Sequence, residues 1–246
     1  ACAQKYPEKV IPFITFTPAT PDKVKLLEDF VAQGAKGIKL YTGHNDFHDR
    51  SLDDPDMYPV YEWCEKNQFP ILWHVNMNSF KDEFLKVMVK YPKLKVCLPH
   101  FGVGFFDSKG KLLDSLGEIM DTYPNVYTDT SFGTRQILVA GLQKVDRNPD
   151  LFRKFYDKYQ DRILFGTDMV VTGNKEKTTA WIASVIRACR EMHEKAEFSF
   201  WMAVNGGPYA DPTSNNPDGH LRGLALSPQI LKKIYETNIE KFLAKS

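Results

Sequence analysis

Short apolar runs alternate with longer amphipathic stretches along the whole chain. Six runs have the length and composition of β-strands: "VIPFITF" (10–16), "KGIKLY" (36–41), "PILWHV" (70–75), "LKVCLPH" (94–100), "NVYTDTS" (125–131) and "RILFGTD" (162–168). Between them apolar positions recur at helical spacing over 21–33, 55–67, 79–91, 110–123 and 134–160, and after the sixth run over 175–195 and 228–244. Strands separated by about 25 to 35 residues with helices between them must pair in parallel through crossover connections. The pattern predicts one α/β domain over 1–246, with no linker and no internal repeat.

Two parallel architectures satisfy this pattern, an open doubly wound sheet and a closed (β/α)8 TIM barrel. No glycine-rich phosphate loop follows any of the strands, which removes the usual signature of the nucleotide-binding open sheets. Polar residues instead gather at the C-terminal ends of several strands: Lys39, His74, His100, Asp129 and Asp168. A barrel builds its site in that way, from the tops of many strands. Six of its eight strands are visible, so the prediction is a TIM barrel with two strands missing from the pattern.

Composition narrows the function classes. The chain has 246 residues, 43% hydrophobic and 26% charged, with a formal net charge of +1. Without a basic block it does not suggest nucleic acid or an anionic membrane as partner. No apolar run approaches the roughly 18 residues of a membrane span, and the first nine residues are too polar for a signal peptide. Cys2, Cys64, Cys97 and Cys189 are scattered, which fits reduced thiols and a cytoplasmic location.

Three strand ends carry the candidate chemistry. On "PILWHV", His74 shares a face with Leu72, while Ile71 and Trp73 point the other way. By the same alternation His100 shares a face with Val96 and Leu98. Asp168 shares one with Leu164 and Gly166, whose missing side chain leaves room beneath the carboxylate. A carboxylate at the end of a core strand needs a partner, and imidazole with carboxylate suits zinc or a similar divalent metal.

The blocks "GAKGIKLYTG", "SLDDPDMYPVYEWCEKNQFPILWHVN", "LPHFG", "NVYTDTS", "RILFGTDM" and "IYETNIEKFL" resemble, in order, those of the amidohydrolase-related metal-dependent hydrolases. That branch of the amidohydrolase superfamily also holds carboxymuconate-semialdehyde-type and resorcylate-type decarboxylases. The resemblance implies a TIM barrel in which His74 and Asp168 bind a divalent metal, zinc first. It makes Asp168 also the base that takes a proton from water, and His100 the residue that polarises the substrate. The activity implied is hydrolysis of a small ester, lactone or amide, with decarboxylation as the alternative. "VIPFITF" falls at the third barrel strand, and the H-x-H pair of the family's first strand has no counterpart. That departure supports a competing reading, a catalytically silent barrel fragment that serves as a binding or assembly subunit.

Other residues are secondary candidates. His44 and His48 have the i, i+4 spacing of a metal pair on a helical turn. Arg135 and Arg222 are candidates for holding a substrate carboxylate bidentately. Trp201, His220 and Arg222 lie in a long turn-rich segment (201–223) suited to a lid. Lys39 is expected to line the barrel, and His193, in "REMHEK", to be solvated. A six-stranded open barrel exposes two sheet edges, and exposed edges invite pairing. If the chain begins at Ala1, a homo-oligomer or poor solubility is therefore expected, and a stable monomer in analytical ultracentrifugation would contradict this.

Overall fold

The computed structural model describes residues 2–103, 111–133, 135–170, 172–204 and 216–244. Chain order and sheet order coincide: β1 (Phe13–Thr15), β2 (Gly37–Gly43), β3 (Ile71–Val75), β4 (Val96–Leu98), β5 (Val126–Asp129) and β6 (Ile163–Leu164) follow one another across one sheet. Strands β1 to β5 pair in parallel, as the spacing required. The chain packs as two compact units, 1–128 with 239–246, and 129–238.

In the first unit the helices α1 (Lys23–Ala32), α2 (Tyr58–Asn67), α3 (Met77–Lys90) and α4 (Lys111–Thr122) connect the strands. Two of them show a local start or stop signal. The Asn76 side chain accepts from the Asn78 N–H to start α3, and α2 ends at Gln68 in the left-handed region (φ 49°). Alternation on β3 is complete: Ile71, Trp73 and Val75 are buried, while Leu72 and His74 are half-buried. Trp73 anchors the helical side. Its ring lies 5.2 Å from Tyr61 of α2 and 5.8 Å from Phe84 of α3, and its Nε1 donates to Thr42 Oγ1 at 2.9 Å. Such a buried indole contributes a large apolar area only because its N–H is satisfied.

Strand β4 departs from the predicted pattern. Its register sets Cys97 beside Leu72, so Cys97 lies on the His74 face, and Val96 and Leu98 lie on the opposite one. His100 therefore does not gain its position by sharing a face with Val96 and Leu98. The strand stops at Leu98, and His100, Phe101, Gly102 and Val103 all take positive φ (59°, 50°, 73° and 57°). This left-handed turn brings the imidazole round to His74.

The second unit holds α5 (Gln136–Arg147), α6 (Pro149–Tyr159) and α7 (Thr179–Glu194). The single helix expected over 134–160 is two, because Pro149 at the start of α6 forces Asn148 out of helical geometry (φ −135°, ψ 48°). Strand β6 has two residues, far shorter than 162–168, and Phe165 N–H already bonds to Ile234 O of a π-helical turn, Lys233–Thr237. After α7, β7 (Glu197–Ser199) pairs antiparallel with β8 (His220–Arg222), which occupies the end of the turn-rich segment 201–223. Residues 205–215 of that segment lie outside the described residues.

His193 corrects another expectation. It is fully buried on α7 rather than solvated. Its Nδ1 lies 2.6 Å from the Cys189 carbonyl and must donate, so Nε2 accepts from the Tyr156 hydroxyl at 2.7 Å. Burial pushes its pKa down from 6.5 to about 4. The unfolded chain therefore takes up this proton first as pH falls. The contribution of neutral His193 is intact above pH 6.5 and is lost on the way down to about pH 4, about 3 kcal/mol by linkage. Urea unfolding across that window is expected to show this loss, and His193→Gln to flatten it. An unchanged slope in the variant would refute the assignment.

Candidate active site

A kink in β2 builds the site of the first unit. Leu40 pairs with Trp73, but Gly43, three residues later, pairs with Val75, only two later, so β2 carries one extra residue. Bulges of this kind re-aim side chains at strand ends. A Cβ on Gly43 would lie 2.7 Å from the His74 carbonyl oxygen, so only glycine permits the approach. The next residue, His44, thereby comes beside His74.

Three half-buried imidazoles result, His44, His74 and His100. The His44 and His74 ring centroids are 4.6 Å apart, and those of His74 and His100 are 5.1 Å apart. Tyr41 stacks on His74 at 6.3 Å, and the Lys39 ammonium lies 4.7 Å from the Tyr41 ring centre. Lys39 is on the half-buried face of β2, as expected for a residue lining the strands. Burial first, then His100, Lys39 and His44, push the His74 pKa from 6.5 down to about 2, so its ring is neutral. Neither His74 ring nitrogen hydrogen-bonds to another described residue. Fully satisfied His193 is the contrast.

The candidate pairing of His44 with His48 does not form. His48 Nδ1 donates to the Thr42 carbonyl at 2.6 Å, its Nε2 lies 3.4 Å from Glu83, and its ring packs on Phe80 at 3.8 Å. His44 instead caps a short 3-10 turn, Asn45–Phe47, accepting from the Asp46 N–H at 3.0 Å. That turn helps to enclose a cavity of about 420 Å³, lined on the strand side by Thr15 and Tyr41 and on the loop side by Asp46, Phe47 and Asp49. His44 was the residue missed as a neighbour of His74. The glycine before it, inside a strand pattern, was the available signal.

In the second unit the buried carboxylate is Asp129, not Asp168. Asp129 Oδ1 accepts from Ser131 N at 3.0 Å and from Ser131 Oγ at 2.5 Å. The room left by Gly166 serves Asp129 too: a Cβ there would lie 3.1 Å from Asp129 Cγ. Asp168 is exposed, four residues beyond the end of β6, with φ 49°. Its Oδ2 lies against Gly133, 3.3 Å from where a Cβ would be.

The candidate substrate arginines already have partners. Arg135 pairs with Glu176 at 2.5 Å, and Arg222 engages both the side chain and the carbonyl of Asp146. Holding a substrate carboxylate there would mean exchanging those partners. Trp201 is exposed and donates to Ser184 Oγ at 3.1 Å, and His220 is an exposed residue of β8.

Neutral imidazoles are the donors that a borderline divalent ion prefers. Rings about 5 Å apart match the spacing of two ligands on one tetrahedral ion with zinc–nitrogen bonds of roughly 2.0–2.1 Å. Among the described residues, no three His, Cys, Asp or Glu side chains already form a group that could hold an ion. The donor chemistry of His44, His74 and His100 fits a metal, and its completion requires side-chain movement. No described helix is long and apolar enough to cross a membrane.

Comparison with curated proteins gives no match. Among solved structures, the chain is similar to an amidohydrolase from Burkholderia multivorans with bound zinc, with TM-score 0.62 and 13% identity over 99% of this chain and 76% of that one. It is also similar to a 4-oxalomesaconate hydratase from Rhodopseudomonas palustris, with TM-score 0.58 and 19% identity over 98% and 67%. A 2,6-dihydroxybenzoate decarboxylase complexed with 2,6-dihydroxybenzoate gives TM-score 0.54 and 14% identity over 98% and 72%. At such identities the likeness concerns the fold, the TIM barrel anticipated from the strand pattern. A family model describes nearly the whole chain: the protein belongs to the Amidohydrolase family, matched over residues 1–245.

Proposed function

We propose that this protein is a metal-dependent hydrolase acting on a small ester, lactone or amide. The observation that carries the reading is His74, a neutral imidazole with both ring nitrogens unengaged and His44 and His100 on either side. A half-buried imidazole with both nitrogens unengaged by the protein keeps its lone pair available to a ligand.

A divalent ion, zinc first, would supply Lewis acidity and bring the pKa of water from 15.7 towards about 7. His74 would hold the ion. His100 stabilises negative charge developing on the substrate oxygen, and its left-handed turn fixes the direction from which it does so. The family resemblance gives Asp168 the role of base, which would take the proton from water and return it to the leaving group. Its exposure suits an exchange of protons with solvent. Tyr41 and Phe47 line the cavity of about 420 Å³ beside the cluster, which the three histidines do not themselves line, and would offer aromatic surface to a substrate that reaches from it to His74.

Decarboxylation is the second reading, supported by the likeness to the dihydroxybenzoate decarboxylase. The same imidazoles would then polarise a phenol, and carbon dioxide would replace hydrolysis as the outcome.

The test is a screen of zinc-loaded protein with dihydrocoumarin, p-nitrophenyl acetate and 2,6-dihydroxybenzoate. Hydrolysis of the lactone or ester is expected, abolished by chelation and restored by zinc. His74→Ala and Asp168→Asn are each expected to lower kcat/KM by about 100-fold or more. Carbon dioxide from the benzoate without hydrolysis would favour the second reading. Turnover indifferent to chelation and to both substitutions would overturn both.

A further inference from the structure

The structure points to a metal ligand at a position outside the residues carried over from the family pattern. Building on the metal-dependent reading above, we propose that His44 binds the ion together with His74. Two imidazoles from the ends of adjacent parallel strands would thus form a ligand pair. Three observations converge on this assignment.

The first is spacing. The two ring centroids are 4.6 Å apart, close to the distance of about 5 Å expected for imidazoles sharing a tetrahedral ion. The second is backbone design. The extra residue in β2 and the glycine at 43 bring the chain within a distance of His74 that no side chain at 43 would tolerate. The Asn76 N–H bond to the Gly43 carbonyl, 2.8 Å, holds that approach from the other strand. His44 therefore stands on anchored backbone rather than on the tip of a loop.

The third is the environment of Nδ1. In the structure it accepts from the Asp46 N–H at 3.0 Å, while the Asp46 carboxylate waits 3.8 Å away. Ligation through Nε2 moves the ring proton to Nδ1, which then becomes a donor. The Asp46 N–H is released, and Asp46 Oδ2 closes in as acceptor. A carboxylate behind a ligating histidine fixes its tautomer and raises its basicity. His44 Nε2 has no hydrogen-bond partner among the described residues, so nothing else competes for it.

The experiment is titration of metal-free protein with Zn²⁺ by equilibrium dialysis and with Co²⁺ by visible absorption. The variants are His44→Ala, His44→Cys, Asp46→Asn and, as a loop control, His48→Ala. His44→Ala is expected to weaken Zn²⁺ binding by about 100-fold or more, and Asp46→Asn by about 10-fold. His48→Ala is expected to bind as the wild type does. His44→Cys is expected to retain binding and to add a thiolate-to-cobalt charge-transfer band, which a merely structural role for residue 44 would not produce. Wild-type binding left unchanged by His44→Ala would overturn this assignment alone. The same holds for a cysteine variant without the band, or for an equal loss in His48→Ala. A wild-type chain that takes up neither ion would overturn the metal-dependent reading as well.

Discussion

The close approach of β2 to β3 at Gly43 is the constraint on which the first unit's histidine cluster rests. Parallel pairing fixes Lys39 beside Leu72 and Leu40 beside Trp73. The extra residue then lets Tyr41 and Thr42 serve opposite purposes, one ring towards His74 and one hydroxyl under the Trp73 indole. Packing and site are thus two faces of one strand pair. The indole that joins both helices to the sheet is one residue from the imidazole that faces the other way. Loss of Trp73 packing would disturb the position of His74 through the peptide bond that joins them.

Two histidines show how burial alone fails to define a site. His193 and His74 are both desolvated, and both have depressed pKa values. At His193 a tyrosine hydroxyl and a carbonyl use both nitrogens, so the low pKa describes a finished hydrogen-bond network. At half-buried His74 no described residue bonds to either ring nitrogen. The first arrangement gives stability, the second leaves coordination capacity.

Much of this was legible in the sequence. Six strands, their order and their parallel pairing followed from alternation and spacing, and His74 followed from its place at the end of "PILWHV". Period-2 reasoning failed at two other strand ends for one reason: it assumes that the strand continues. At "LKVCLPH" the strand ends at Leu98, and at "RILFGTD" it ends at Leu164, so the faces assigned to His100 and Asp168 had no strand to define them. The buried acid was Asp129, which composition did not separate from Asp168. His193 was misread because "REMHEK" is charged on one face only. Its neighbours along α7, Ala188, Cys189 and Met192, are buried with it. His44 was visible only as one of a local pair, because a bulge has no signature in hydrophobic periodicity.

The left-handed residues carry a consequence for anyone altering this protein. His100, Phe101, Val103 and Asp168 occupy a region of backbone space that costs an L-residue roughly 1–2 kcal/mol and a glycine almost nothing. Selection for heat resistance alone would therefore reward glycine at 100 and 168, where the imidazole and carboxylate now stand. Under the proposed function, thermostability and chemistry compete at these positions, and a screen that measures only the first would quietly erase the second.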